Sequence, residues 1–147
     1  MAQPPNNVFT RNVITIPDTP VPSQPVGAPK VITLDFDTLG ITEYSLSPLE
    51  FTSYLVYIVL TGATTGTSPT VYLPSTHNMN GQTVVIKNAT PDNYSIQPSP
   101  GVLLDAGTYP SISLIAIGNP GDVGAVTVIA NPTPVDSWYI TDVYIQL

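Results

Sequence analysis

The chain has 147 residues, enough for one domain with or without an extended arm. Its formal net charge is -7 and its basic residues are Arg11, Lys30 and Lys87, so it lacks the positive surface that binds a phosphate backbone. It has no cysteine, and its longest apolar run, at 54–60, is about a third of the roughly 20 residues in a membrane-spanning helix. We therefore expect neither nucleic acid nor a membrane as a partner, and neither disulfides nor thiolate metal sites.

Residues 1–30 are predicted to form an extended, proline-rich N-terminal arm. Proline fixes φ and removes a backbone donor, so the arm should be partly polyproline II, with 13–16 as a short strand at most. Such a segment cannot build its own core, and we expect a neighbouring protein to hold it, although a flexible terminus is the alternative. The predicted contact residues of the arm are Pro4, Pro5, Val8, Phe9, Arg11, Val13, Ile14, Ile16, Pro17, Pro20 and Pro22.

Residues 31–147 are predicted to form the folded domain, beginning with a strand at 31–39. Ile32, Leu34 and Phe36 alternate with polar residues, which is typical of a half-buried strand. Asp35 and Asp37 then share the opposite face. That face could hold a carboxylate pair or calcium ligands, but no calcium-loop spacing accompanies it, so we expect a solvated face that discourages edge pairing.

The next segment combines a helix-start signal with a strand. Ser47, Pro48 and Glu50 have the spacing of a capping box. The β-branched and aromatic residues that follow favour a strand, and this strand is apolar on both faces. Burial on both faces is rare in a small single-sheet domain, so we predict a subunit interface formed by Tyr54, Leu55, Val56, Tyr57, Ile58, Val59 and Leu60.

Short strands continue to the C-terminus, separated by turn signals rich in Gly, Pro, Asn and Asp. Their spacing of about 8 to 12 residues is typical of a sandwich or barrel. The stretch 80–100 is interpreted as a hairpin that begins at the Asn80-Gly81 turn. The predicted fold is therefore all-β, a compact antiparallel, jelly-roll-like sandwich or barrel. Its remaining strands are expected within 69–74, 80–88, 93–98, 101–107, 111–118, 124–132 and 137–147.

Residues with catalytic chemistry are sparse. His77 is the single histidine, and no nucleophile elbow accompanies any serine, so we predict a solvated loop residue, no enzyme and no cofactor or metal. Asn88 and Asn93 begin glycosylation sequons, which we interpret as coincidences of a Thr- and Asn-rich composition. The tyrosines and Trp138 could build a sugar-stacking face, but their scatter over separate strands favours core and interface packing.

Several strand and turn sequences resemble a β-module of bacteriophage virion proteins. The stretches are YLVYIVLTG at 54–62, TVYLP at 70–74, VIKN at 85–88 and a closing strand with tryptophan. Within about 54–142, the matching residues are Thr61, Gly62, Leu73, Pro74, Gly81, Ile86, Lys87, Asn88, Gly107 and Trp138.

The resemblance implies a non-enzymatic virion protein, because the module occurs in tail fibres, spikes and head decoration proteins, often as trimers. A long arm on one β-domain fits a capsid cement or decoration protein of a tailed phage. We expect a homotrimer on the capsid surface whose arm crosses capsomers and contacts the major capsid protein. The alternative is a short tail fibre, spike or tail-assembly protein that acts in host adsorption, and a third possibility is a carbohydrate-binding module.

Overall fold

The computed structural model describes residues 28–62, 68–115 and 123–145. The predicted arm contacts, from Pro4 to Pro22, lie outside the described residues. Within these ranges, the helical elements are one short α-helix, α1 (Phe36–Leu39), and two 3-10 turns, η1 (Pro48–Glu50) and η2 (Asp105–Gly107). The strands are β1 (Lys30–Asp35), β2 (Glu43–Ser45), β3 (Leu55–Thr61), β4 (Thr70–Leu73), β5 (Thr83–Asn88), β6 (Tyr94–Pro98), β7 (Leu103–Leu104), β8 (Ile112–Leu114), β9 (Val123–Asn131) and β10 (Ser137–Ile145).

The strands form two sheets that pack face to face, which confirms the predicted all-β sandwich. The six-stranded sheet has the order β1-β3-β5-β9-β10-β7, and the four-stranded sheet has the order β2-β4-β6-β8. From β1 to β9, consecutive strands belong to alternate sheets. The chain therefore winds around the core in successive coils, and each coil adds one strand to each sheet.

This winding makes much of the strand pairing parallel, so the expected antiparallel, jelly-roll-like arrangement was wrong in this respect. Within the described strands, β1, β3 and β5 are parallel neighbours, as are β2, β4 and β6. Antiparallel pairing joins β5 to β9, β9 to β10 and β6 to β8. Between β1 and β6, the chain crosses to the other sheet and back before each new strand is added, so that strand runs in the same direction as its neighbour and pairs with it in parallel. The direction reverses between β6 and β8, which are antiparallel.

The core lies between the inward faces of the two sheets. Its largest fully buried side chains include Trp138, Tyr94 and Phe36, and the rings of Phe36 and Tyr94 meet edge to face with centroids 5.2 Å apart. The other core side chains are mainly aliphatic and come from alternate positions along each strand, as expected for strands with one face in the core. The six-stranded sheet contributes Leu34, Val56, Ile58, Leu60, Val84, Ile86, Val126, Val128 and Ala130, and the four-stranded sheet contributes Val71, Leu73, Ile96 and Leu114.

The first predicted strand ends earlier than expected, because Asp35 caps a helix. Its Oδ1 accepts the N–H of Thr38 at 2.9 Å, and α1 ends at Gly40 in the left-handed conformation. Asp35 and Asp37 therefore do not share one strand face, so the expectation of a solvated strand face that carries both carboxylates was wrong. Gly62 passes close to this turn at φ +80, where a Cβ would collide with Asp35 Oδ1. Only glycine fits this position.

The stretch 80–100 is a crossing between sheets and not a hairpin. Its first strand, β5, belongs to the six-stranded sheet, and its second, β6, belongs to the four-stranded sheet. The buried Asn88 holds the crossing: its Nδ2 donates to the carbonyl of Asp92 at 2.7 Å, and its Oδ1 accepts Thr90 N–H at 3.0 Å. The Asn88 side-chain amide, which would carry the glycan of the first sequon, is therefore buried and hydrogen-bonded. The Gly81 turn itself is confirmed at φ +84.

Candidate functional site

Strand β3, the predicted subunit interface, has two different faces. Val56, Ile58 and Leu60 are fully buried in the core of their own chain. They cannot contact a second subunit in this fold, so assigning them to an interface was wrong. Tyr54, just before the strand, is 61% exposed and Tyr57 is 39% exposed, whereas Leu55 and Val59 are half-buried. The predicted interface therefore narrows to these four residues, for which it stays a prediction.

The outward residues of β3 belong to a larger surface, which we call the outer face of the six-stranded sheet. Strand register places its side chains in three rows, and the charged members are Lys87 and Asp142. Lys87 Nζ lies 5.1 Å from the centroid of the Tyr144 ring, so the ammonium group makes a cation–π contact with that ring. The rows are Leu55, Thr83, Ile129 and Tyr139; Val31, Tyr57, Val85, Thr127 and Asp142; and Thr33, Val59, Lys87, Ala125 and Tyr144.

A second feature is a cleft of about 550 Å³ between the turn that precedes β3 and the loop that joins β4 to β5. The first wall consists of Pro48, Phe51 and Tyr54, and the loop supplies mainly uncharged polar groups. We call this the Tyr54 cleft. The loop residues that line it are Ser75, His77, Asn78, Met79, Asn80, Gly81 and Gln82.

The first wall is held by the capping box that the sequence predicted. Ser47 Oγ accepts Leu49 N–H at 3.2 Å, and Glu50 Oε2 accepts Ser47 N–H at 2.7 Å. The other oxygen of Glu50 accepts the Tyr44 hydroxyl at 3.0 Å. Burial and this contact with Glu50 raise the pKa of Tyr44 above its ordinary value, so the phenol stays protonated and donates.

The loop wall is anchored by Asp136, which lies directly before β10. Its carboxylate accepts Ser75 Oγ and the Thr76 N–H, each at 2.7 Å, and also the Thr76 hydroxyl. Burial raises the pKa of Asp136, but the hydrogen bonds from Thr76 and Ser75 and the nearby His77 outweigh it, and the pKa is lowered. Asp136 therefore ties the loop after β4 of one sheet to the start of β10 in the other.

The interior beneath the cleft is closed by Trp138. Its Nε1 donates to the carbonyl of Pro74 at 2.7 Å, so the buried indole has a partner. The Phe51 ring tilts against the indole with centroids 6.1 Å apart. The loop is further fixed by Gly81 N–H, which donates to the Ala130 carbonyl at 2.9 Å. Buried and hydrogen-bonded groups therefore support both walls of the cleft.

Ser75, His77 and Asp136 lie together here, but their hydrogen bonds do not form a nucleophilic triad. Ser75 Oγ donates its proton to Asp136 and accepts the backbone N–H of His77 at 3.3 Å. In a triad the serine donates to the histidine ring and the aspartate accepts from that ring. Ser75 is therefore oriented as a structural donor, and His77 is an exposed loop residue, as its position in the sequence indicated.

Other types of site receive no support within 28–62, 68–115 and 123–145. No group of three or more His, Cys, Asp or Glu side chains is placed there to hold a metal ion. Over the same ranges, no helix is both long and apolar enough to cross a bilayer.

Sequence reasoning missed the Tyr54 cleft, because its two walls are about 20 residues apart in the chain and meet only through the sheet crossing. The local signal was present in the stretch 75–82, STHNMNGQ, which is polar and uncharged and contains Gly81. Such a stretch reads as a solvated turn. Only its position opposite Phe51 and Tyr54 makes it the wall of a cavity.

Comparisons with known proteins add little to this description. No protein-family model matches the chain, and no curated protein matches it. A solved structure described as "Structure of a chaperone-substrate complex" shares 16% sequence identity at a TM-score of 0.43. The match covers 77% of this chain and 17% of that chain. A likeness at this level carries no argument about function.

Proposed function

We propose that this protein is a non-enzymatic structural subunit of a tailed-phage virion, a cement or decoration protein that sits on the capsid surface as a homotrimer. Its binding to the mature shell stabilises that shell by mass action, because a ligand that prefers one state shifts the equilibrium toward it. The N-terminal arm contacts the major capsid protein and acts through effective concentration, since the first anchored contact makes the next one intramolecular.

The observation that supports an assembly role is the outer face of the six-stranded sheet. Val31, Tyr57 and Val85 lie side by side there, on register-matched positions of β1, β3 and β5. Contiguous apolar surface of this kind marks protein interaction sites, and interfaces favour aromatic residues over charged ones. Copies of the subunit packed through this face would cover it.

The interface is tested by a matched pair of substitutions, one on each sheet. Tyr57→Glu introduces a charge on the apolar outer face, whereas Tyr72→Glu introduces the same charge on the four-stranded sheet, where Tyr72 lies next to Gln97. We expect the wild type and Tyr72→Glu to sediment as trimers at micromolar concentration and Tyr57→Glu to sediment as a monomer. A wild-type monomer contradicts the trimer, and a trimer that survives Tyr57→Glu contradicts this interface.

The location on the head is tested by binding full-length protein, and protein without residues 1–30, to purified heads and purified tails of the virus. We expect full-length protein to bind heads, and the truncated protein to remain a trimer but lose affinity. A truncated protein that binds heads as tightly as the full chain contradicts the role of the arm.

A second candidate is a short tail fibre, spike or tail-assembly protein of the same virion, acting in host adsorption. The Tyr54 cleft favours it, because an exposed aromatic side chain beside uncharged polar groups suits recognition of a receptor. Binding of the full-length protein to tails or to host cells, and not to heads, would decide for this candidate.

A further inference from the structure

The Tyr54 cleft has the size and rigidity of a small-molecule site. Its volume of about 550 Å³ lies inside the range of roughly 300 to 1,000 Å³ that is usual for ligand pockets. Glu50 holds one wall and Asp136 holds the other through the hydrogen bonds described above. A cleft that is already shaped in the free protein loses little conformational entropy when a ligand enters, so weak contacts can add up to binding.

The lining of the cleft excludes strongly charged ligands. Among the described residues that line it, none is a lysine, arginine, aspartate or glutamate. An ionic group would therefore lose its hydration without gaining a counter-ion, at considerable cost. Anions are disfavoured further by the carboxylate of Asp136, which lies directly behind Ser75 and Thr76. The ligand that fits is uncharged.

The polar side chains of the cleft suit hydroxyl groups. Asn78 and Asn80 are exposed, and each amide offers two donors and an acceptor. His77 adds a ring with one donor and one acceptor in its neutral form. Ligands that carry only apolar groups would leave these partners unused. Several hydroxyls in fixed positions would use them well.

The apolar part of the cleft supplies a face for C–H groups. Tyr54 is 61% exposed beside the half-buried Phe51 and Met79. A tyrosine ring combines a large apolar face with a hydroxyl, at low cost in side-chain entropy. Sugars likewise present C–H groups on one face and hydroxyls around the edge. We propose that the Tyr54 cleft binds a neutral saccharide, which stacks on Tyr54 and donates to and accepts from the loop amides.

This binding goes beyond the assembly role proposed above and is measured separately from it. Full-length protein is titrated calorimetrically with the neutral disaccharides maltose, cellobiose, lactose and diacetylchitobiose, and with anionic sialyllactose. A blocked, uncharged alanine dipeptide serves as the peptide probe. We expect saturable binding of at least one neutral disaccharide at millimolar concentration and weaker binding of sialyllactose. The proposal is overturned if no neutral sugar binds, if sialyllactose binds tightest, or if the dipeptide binds more tightly than every sugar.

Two exposed tyrosines provide the matched variants. Tyr54→Ala removes the stacking ring, and Tyr109→Ala removes another exposed ring that is not among the residues lining the cleft and lies on no strand of the outer face. We expect Tyr54→Ala to weaken the bound sugar about tenfold or more, as for loss of one aromatic contact, and Tyr109→Ala to bind like the wild type. Equal binding by Tyr54→Ala and the wild type, or equal loss in both variants, places the sugar elsewhere.

A second measurement covers the case in which Tyr54→Ala does not fold. In the wild-type protein, amide chemical shifts of the loop 75–82 should change on titration with the bound disaccharide, while those of β6 should not. Asn80→Ala, an exposed loop change, should weaken the same sugar severalfold. Shift changes confined to residues outside the cleft would overturn the assignment of the site.

Discussion

The two sheets have similar inner faces and very different outer faces. On the outside of the four-stranded sheet, register brings Thr70 beside Ser95 and Tyr72 beside Gln97, and Ser95 pairs with Ser113. The corresponding side of the six-stranded sheet carries mainly valine, leucine, isoleucine, alanine and tyrosine in its rows, together with three threonines, Lys87 and Asp142.

Both sheets contain three parallel strands, so parallel pairing does not explain the difference. Folding requires only the inner faces to be apolar, and solubility favours polar residues on the outside. For this reason we place the proposed subunit contact on the outer face of the six-stranded sheet and not on the more polar face of the other sheet.

We expect the largest difference in unfolding free energy between a substitution on the buried side of β3 and one on its outer side. Ile58→Ala removes a fully buried side chain, and we expect it to lower the free energy of unfolding by about 2 to 5 kcal/mol. Tyr57→Ala, the adjacent residue on the outer face, should change it by about 0.5 kcal/mol or less when the protein is dilute and monomeric. Urea titrations of both variants measure the difference. Similar losses in the two variants would mean that Tyr57 also stabilises the isolated domain.

A smaller effect should follow from breaking the tie between the sheets. Asp136→Ala removes the acceptor for Ser75 and Thr76, and we expect a loss of about 1 to 2 kcal/mol at neutral pH, allowing for partial exposure. Because the folded-state pKa of Asp136 lies below the usual value of 3.8, its contribution is fully present above that value. The contribution is lost as the pH falls through the folded-state pKa.

Urea titrations at neutral pH and at a series of acidic pH values test this pH dependence. The stability difference between the wild type and Asp136→Ala should shrink below pH 3.8. Asp142→Asn, on the outer face of the six-stranded sheet, is the control and should leave stability at neutral pH nearly unchanged. A difference that is independent of pH would show that the carboxylate charge is not what Asp136 contributes.

The capping box at the crossing from β2 to β3 should matter less. Ser47→Ala removes the side chain that accepts from Leu49, and a lost cap costs about 1 kcal/mol. Ser113→Ala, at an exposed position of the four-stranded sheet, provides a serine control with no expected loss. Thermal unfolding of the two variants makes the comparison. Equal melting temperatures would contradict a stabilising role for the cap.

The smallest effect should come from the contact between Lys87 and Tyr144 on the outer face of the six-stranded sheet. Lys87 lies over the Tyr144 ring, and an exposed cation–π contact contributes about 0.5 to 1 kcal/mol. A double-mutant cycle with Lys87→Met and Tyr144→Leu isolates this coupling from other effects of each change. A coupling energy near zero would show that the two side chains are neighbours without mutual stabilisation.

Local features of this protein were predictable because nearby residues determine them. Ser47 and Glu50 are three residues apart and form the capping box wherever the turn lies. Gly81 takes a positive φ, which suits a residue without a Cβ. At Asp35 the prediction from local sequence was wrong. The apolar and polar residues alternate through this position, which predicted a continuing strand, but the Asp35 side chain accepts the Thr38 N–H and the strand ends there.

By itself, the sequence determined the all-β class, the core-facing residues of β1 and several turns, since alternation with a period of two specifies which face of a strand is buried. It did not determine the buried face of β3, because that strand is apolar on both faces. Only the tertiary structure decided which strands are neighbours, that Asn88 anchors a sheet crossing, and that Tyr54 faces the loop 75–82. The same alternation fits an antiparallel or a parallel neighbour equally well. Pairing and the cleft depend on contacts between distant segments, which become defined only when the chain winds around one core.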